Sequence, residues 1–119
     1  MGRYYHGDIE GKFWFALQSS DSASRFGGET YEPQVINYHF GEEHLAEVLE
    51  EIKNIEDKLG SKYFVIVKFF EENNGYNSKM LLEAEITEAE LSDYADLLLG
   101  RQIKDSIEEN GQCNFEAEL

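Results

Sequence analysis

Cysteine, proline and positive charge are scarce in this chain. Its 119 residues hold one cysteine, Cys113, which excludes an internal disulfide framework and suits a reducing compartment. The one proline, Pro33, ends a loop. No apolar run approaches the roughly 18 residues that a membrane span needs. The opening MGRYYHGDIEG has neither a signal-peptide core nor a lipidation signal, so a soluble intracellular protein is expected. Internal repeats and low-complexity segments are absent. No glycine pattern matches a dinucleotide fingerprint or a P-loop, so neither phosphate cradle is expected.

Bases number 10 against 25 acids, for a formal net charge of −15. The distribution is uneven. Residues 41 to 60 carry 7 acids and 2 bases, and residues 80 to 119 carry 11 and 2, so fourteen of the fifteen excess charges fall in these two segments. Such a chain repels phosphates, which argues against nucleic acid or an anionic membrane as a direct partner. Disorder is not the reason for the acidity. Eight Phe, seven Tyr and one Trp, with 41% apolar residues, exceed what a disordered acidic segment holds. A chain of this length is expected to form a single compact domain over residues 1–119 with its own core.

The stretch Gly41 to Gly60 gives the clearest periodicity. Leu45, Val48, Leu49, Ile52, Ile55 and Leu59 recur at helical steps and predict one buried face. Glu42 and Glu43 favour the N-terminal turn and Gly60 marks the stop. Glu43, Glu47, Glu50 and Glu51 occupy the outer face, where like charges at i,i+4 cost about 0.2–0.5 kcal/mol per pair. A solvated helix face explains that pattern; a surface shown to a basic partner explains it equally.

Elsewhere, residues 1 to 11 read as a turn-rich lead-in, and the aromatic run Lys12 to Gln18 as a central strand. A short helical turn is expected within Ser19 to Gly28. Val35 to Phe40 alternates as a second strand that pairs with the first, with Ile36, Tyr38 and Phe40 inward. Ser61 to Asn74 favours a strand by its β-branched and aromatic content but aligns Tyr63, Ile66, Val67 and Phe70 at helical spacing; helix is the reading adopted, closed by Asn74-Gly75. Asn77 or Ser78 caps a short helix over Lys79 to Glu85, and Thr87 with Glu90 forms a capping box for a helix from Glu88. Leu91, Tyr94, Ala95 and Leu98 line its face, which continues through Ile103 and Ile107 to Asn110-Gly111. The alternation of Cys113, Phe115, Ala117 and Leu119 predicts a last strand on the sheet edge. The expected fold is α+β, a small antiparallel sheet of about three strands packed against two to four helices.

Chemistry-bearing residues are few. His6, His39, His44 and Cys113 have no recognised ligand spacing, so neither a metal nor another cofactor is expected. Ser19, Ser20 and Ser22 beside Asp21 lack a nucleophile elbow and a placed histidine, and turn or cap roles explain them. Carboxylate pairs arise by chance among so many acids. The chain is therefore not expected to be an enzyme. The helices flanking Ile86-Thr87 suggest a helix-turn-helix, but Glu88, Glu90, Asp93 and Asp96 would meet phosphates with the wrong charge. Core packing accounts for most of Tyr4, Tyr5, Phe13, Trp14, Phe15 and Phe26. Tyr4 and Tyr5, beside glycines, are expected at a contact surface.

Charge mimicry of nucleic acid is the sharper reading. Over about 27 Å the helix 42–59 carries about one net charge per 5 Å, against one per about 1.7 Å of duplex axis. One helix is too sparse, so Glu43, Glu47, Glu50 and Glu51 would need to join Glu88, Asp93 and Asp96 in one face, or two copies would need to associate.

The run GRYYHGDIEGKFWFALQSSDSASRFGG and the closing CNFEAEL resemble small acidic proteins of bacteriophages and large DNA viruses. The resemblance transfers no catalytic residue. It implies a viral accessory protein in the host cytoplasm that binds a host protein with a basic nucleic-acid-binding surface. The class includes anti-CRISPR inhibitors and DNA mimics. A viral structural or regulatory homodimer without inhibitory role, or an uncharacterised enzyme, is the alternative.

Overall fold

The computed structural model describes residues 3–14, 17–31, 35–73 and 75–118. Phe15, Pro33, Asn74 and Leu119, named above, lie outside them. Among the described residues, five strands form one antiparallel sheet: β1 (Tyr4–Gly7), β2 (Gly11–Lys12), β3 (Glu29–Tyr31), β4 (Val35–Gly41) and β5 (Gln112–Glu118). Their order is β2-β1-β5-β4-β3. Four α-helices complete the fold: α1 (Leu45–Leu59), α2 (Lys62–Glu72), α3 (Ser78–Glu83) and α4 (Glu88–Asn110). The fold is α+β.

The strand order corrects several expectations. The lead-in supplies β1, which pairs with β5 through Tyr5↔Ala117 and His6↔Glu116. Lys12 to Gln18 is not a central strand. Of the described residues there, only Gly11 and Lys12 join the sheet, at its edge. Beyond them Phe13 is buried and Trp14 half-buried, and Leu17 and Gln18 turn back to donate their N–H groups to the Trp14 carbonyl. A chain whose aromatics feed the core from a turn makes no ladder. Val35 to Phe40 therefore pairs with β5 and β3, not with residues 12 to 18. The last strand is central, since β1 and β4 take its two sides.

Strand alternation puts Tyr5, Ile36, Tyr38, Phe40, Cys113, Phe115 and Ala117 on one buried face. The Tyr38 and Phe115 rings stack at 5.0 Å, and the Phe40 and Phe115 rings at 6.2 Å and 5°. Helix α4 packs on β4 and β5, and α1 and α2 pack on α4. The opposite face carries Tyr4, His6, Asn37, His39, Asn114 and Glu116, each exposed or half-exposed.

Residues 62–72 are helical, as read. Their Ile66 and Phe69 are buried against the core, while Tyr63 and Phe70 are half-buried beside Tyr94. Helix α4 starts at the expected box: Thr87 Oγ1 accepts from Glu90 N at 3.1 Å and Glu90 Oε1 from Thr87 N at 3.0 Å. Asn77 caps α3, accepting from Met80 N at 2.9 Å. Gly111 ends α4 at φ +79, a left-handed conformation that glycine adopts without steric cost. Two helical positions differ from the reading. Leu49 is 42% exposed and Leu98 37%, because the contact between α1 and α4 is narrower than the apolar arc on either helix. A 3₁₀ turn, Glu42–His44, precedes α1.

Gly100 lies inside α4 where it meets α1 and the 3₁₀ turn Ser22–Phe26. A methyl group there would stand 2.5 Å from Phe26 Cε1 and 3.2 Å from Ile52 Cγ1. Phe26 is fully buried, so its ring has no room to retreat. Gly100→Ala gains about 1 kcal/mol of helix propensity but incurs about 1–3 kcal/mol of overpacking. A net loss of about 1 kcal/mol in urea denaturation is expected; a more stable variant would show that the crossing has slack.

Candidate functional site: the acidic face of α1

The burial of Val48, Ile52, Ile55 and Leu59 fixes the rotation of α1. That rotation turns Glu47, Glu50 and Asp57 to solvent, with Asn54 between the last two, and Glu43, in the 3₁₀ turn that leads into α1, is exposed ahead of them. Among the described residues, no Lys, Arg or His is paired with Glu47, Glu50 or Asp57, and Glu43 has only His44, at 3.6 Å. Lys53, on α1 itself, is exposed, and four other cations are engaged elsewhere. Lys58 holds Asp93 at 3.1 Å, Lys62 holds Glu90 at 3.9 Å, Arg101 holds Glu56 at 3.0 Å, and Lys104 holds Asp105 and Glu108.

Glu51, Asp93 and Asp96 do not share that outward face. Arg25, from the 3₁₀ turn, reaches between α1 and α4: its Nε donates to Glu51 Oε2 at 2.8 Å and its Nη1 to Asp96 Oδ2 at 2.7 Å and Asp93 Oδ1 at 3.3 Å. Gln18 Nε2 donates to the other Asp96 oxygen at 2.6 Å. Asp93 is 8% exposed and Asp96 6%. The expectation that they extend the acidic surface is corrected: a cation 68 and 71 residues away in sequence draws them inward. Glu88 is exposed at the start of α4.

The two tyrosines divide. Tyr4 is exposed, with Lys12 Nζ 5.8 Å from its ring centre, but Tyr5 is 7% exposed and packs on Phe13 and Phe115. Its hydroxyl donates to Gln102 Oε1 at 2.6 Å, so it is a core residue with a satisfied polar tip. Asp57 was missed as a member of the acidic stripe, although its seven-residue step from Glu50 carries the helical period. The groove between the 3₁₀ turn and α1, about 220 Å³, is lined by Arg25, Glu47, Glu50, Glu51 and Asn54. It offers hydrogen-bond acceptors to a cationic side chain.

Nucleophilic chemistry has little support. Cys113 is buried, and burial pushes its thiol up to about 11, away from the reactive thiolate. Ser19 bonds Asp21 within its own turn, while Ser20 bonds the Glu118 carbonyl. A shallow concavity of about 530 Å³ lies on the open sheet face, lined by His6, Asn37, His39, Asn114 and Glu116 among others.

Burial pushes the Asp96 carboxyl above its ordinary value, against the hydrogen bonds from Gln18 and Arg25 that pull it down. A carboxyl raised in the folded state adds stability that is fully present below its unfolded pKa and lost as pH rises through the folded pKa. Arg25→Ala removes one of the groups holding that pKa down and strands a buried carboxylate. The expected loss is about 2 kcal/mol at pH 7, short of a fully buried pair because Arg25 is partly exposed. The deficit should shrink as pH falls through the raised Asp96 pKa; a pH-independent deficit in denaturant titrations would show that Asp96 is not the group responsible.

Compared with models of protein families, with curated protein sequences and with solved structures, the chain has no match, so its own geometry carries the functional argument.

Proposed function

We propose that this chain is a non-enzymatic binding protein that presents the acidic face of α1 to the basic nucleic-acid-binding surface of a host protein. Inhibition of a host defence enzyme, of the anti-CRISPR or DNA-mimic type, is the function this reading favours. The carrying observation is the stripe of Glu43, Glu47, Glu50 and Asp57, exposed while Arg25, Lys58, Lys62, Arg101 and Lys104 are held at other carboxylates. A field of one sign at a rigid helix steers and orients a basic partner.

The inward turn of Asp93 and Asp96 limits the mimicry. Glu43 to Asp57 spans about 21 Å at 1.5 Å per residue. Its four carboxylates are sparser than the roughly 3.4 Å phosphate spacing of one strand. The stripe imitates a few phosphates of one strand and not a length of duplex. Contact with one basic patch is the consequence.

A second reading, a viral homodimer of structural or regulatory role, draws on Phe64 and Val65 of α2 and Leu82 of α3, which are 71%, 41% and 79% exposed. Apolar side chains left in water at this level mark a surface that association would cover.

A pull-down of the tagged chain from a CRISPR-bearing bacterial lysate, at low and high salt, separates the two. Charge mimicry predicts a basic effector subunit retained at low salt and released as ionic strength screens the contact. Glu43→Lys, Glu47→Lys and Glu50→Lys together each replace an attraction with a repulsion of about 0.5 kcal/mol. Affinity should then fall on the order of 100-fold. Undiminished capture by the triple variant would remove the acidic face from the mechanism; salt-insensitive self-association alone would favour the homodimer.

A further inference from the structure

At one end of the sheet, β3, β4 and the 3₁₀ turn before α1 bring two histidines and two glutamates together. We propose that Glu29, His39, Glu43 and His44 bind a divalent metal ion of the zinc class. Glu29 and His39 are cross-strand partners, and Glu43 and His44 lie just beyond the end of β4. One ligand atom each from Glu29, Glu43 and His44 lies within 4.8 Å of the others. The Glu29 carboxylate is 3.8 Å from His39 Nε2. The two imidazoles stand edge to face with centres 6.1 Å apart.

The surrounding hydrogen bonds favour the His39 tautomer whose Nε2 lone pair faces this cluster. Asp8 Oδ2 accepts from the Asn114 backbone N–H at 2.7 Å and from Asn114 Nδ2 at 3.4 Å. That leaves the Asn114 side-chain carbonyl facing His39, with Oδ1 2.5 Å from Nδ1. Nδ1 therefore donates, and Nε2 keeps its lone pair in the neutral ring. A lone pair and a carboxylate face one another across a gap too long for a hydrogen bond. A cation in that gap satisfies both. A ligand histidine whose other ring N–H is fixed by an outer partner is the usual arrangement in metal sites.

Zinc bonds of about 2.0–2.2 Å need the ligand atoms closer together than they stand. The Glu29 and Glu43 side chains are 52% and 68% exposed, free to swing inward. His44 Nδ1 accepts the Gly41 N–H at 2.9 Å, a bond that metal ligation must break, leaving the Gly41 N–H to another acceptor. Two imidazoles with two carboxylates favour zinc, cobalt, nickel or copper over calcium or magnesium, which take oxygen ligands. His6, on the same sheet face, stands 3.7 Å from Glu116 and belongs to another pair. Glu43 belongs both to this cluster and to the acidic stripe, whereas Glu29, His39 and His44 lie outside the stripe, so zinc binding is read apart from partner capture.

The test titrates zinc chloride into the full chain after chelator treatment, with calorimetry and thermal melting as readouts. One saturable equivalent is expected, with an unfolding midpoint that climbs with zinc concentration. Cobalt substitution should give the intense visible absorption of a tetrahedral ion. His39→Gln, and separately Glu29→Gln with Glu43→Gln at exposed positions that leave the core intact, should weaken binding by about 10-fold or more. His6→Ala should bind as the native chain does. Absence of saturable binding, or an affinity unchanged in the Glu29/Glu43 double variant, would overturn the site.

Discussion

Arg25 stands where the 3₁₀ turn, α1 and α4 converge, and three carboxylates from the two helices point at its guanidinium. Burial opposes the charge on Arg25, but its bonds to Asp96 and Glu51 outweigh that and hold it protonated, above its ordinary value. Asp93 and Asp96 lie about one turn apart on α4; without this cation Asp93 would keep Lys58, and Asp96 would face the helix contact with Gln18 as its remaining partner. The contact between the two helices thus depends on a residue that belongs to neither. Gln18 extends the arrangement: its amide donates to Asp96 while its carbonyl accepts from Trp14 N at 3.0 Å. The irregular segment after β2 is thereby tied to the same centre.

The other cations follow a similar economy. Lys58 reaches from α1 to α4, Lys62 from α2 to α4, and Arg101 from α4 back to α1. Each bridges two helices, where it offsets repulsion that would otherwise oppose packing. Exposed pairs of this kind are individually worth at most about 1 kcal/mol. Their collective effect is one of placement. With these three bases at the seams between helices, Glu47, Glu50 and Asp57 are left without them on the outer face of α1, where Lys53 is the exposed base. The acidity of the surface is in this sense a by-product of how the interior is held together.

Periodicity made the helices readable. The spacing of Val48, Ile52, Ile55 and Leu59 is a local property, as is the box formed by Thr87 and Glu90. The helix over 62–72 was recoverable for the same reason, although its β-branched residues pull toward strand. What depends on distant partners was not legible. The pairing of β5 with β1 joins residues more than 100 positions apart, and nothing within QCNFEAEL distinguishes a central strand from an edge. Tyr5 is core only because β1 lies beside β5. Asp93 and Asp96 are inward only because Arg25 arrives from the other end of the chain. The cluster of Glu29, His39, Glu43 and His44 also lacks a sequence signature, since strand pairing and a tight turn create its proximity.

The two faces of the sheet show how far one pairing decides the chemistry. Because the strand alternation is fixed by Tyr38 and Phe115 stacking inward, Asn37, His39, Asn114 and Glu116 must point outward. A slip of one residue between β4 and β5 would drive these polar groups into the core and expose the aromatic row. The register that builds the core is therefore the same one that sets His39 against Asn114, while the pairing of β3 with β4 sets it against Glu29. Any variant that loosens the aromatic stack would disturb the outer cluster as well, without touching a residue in it.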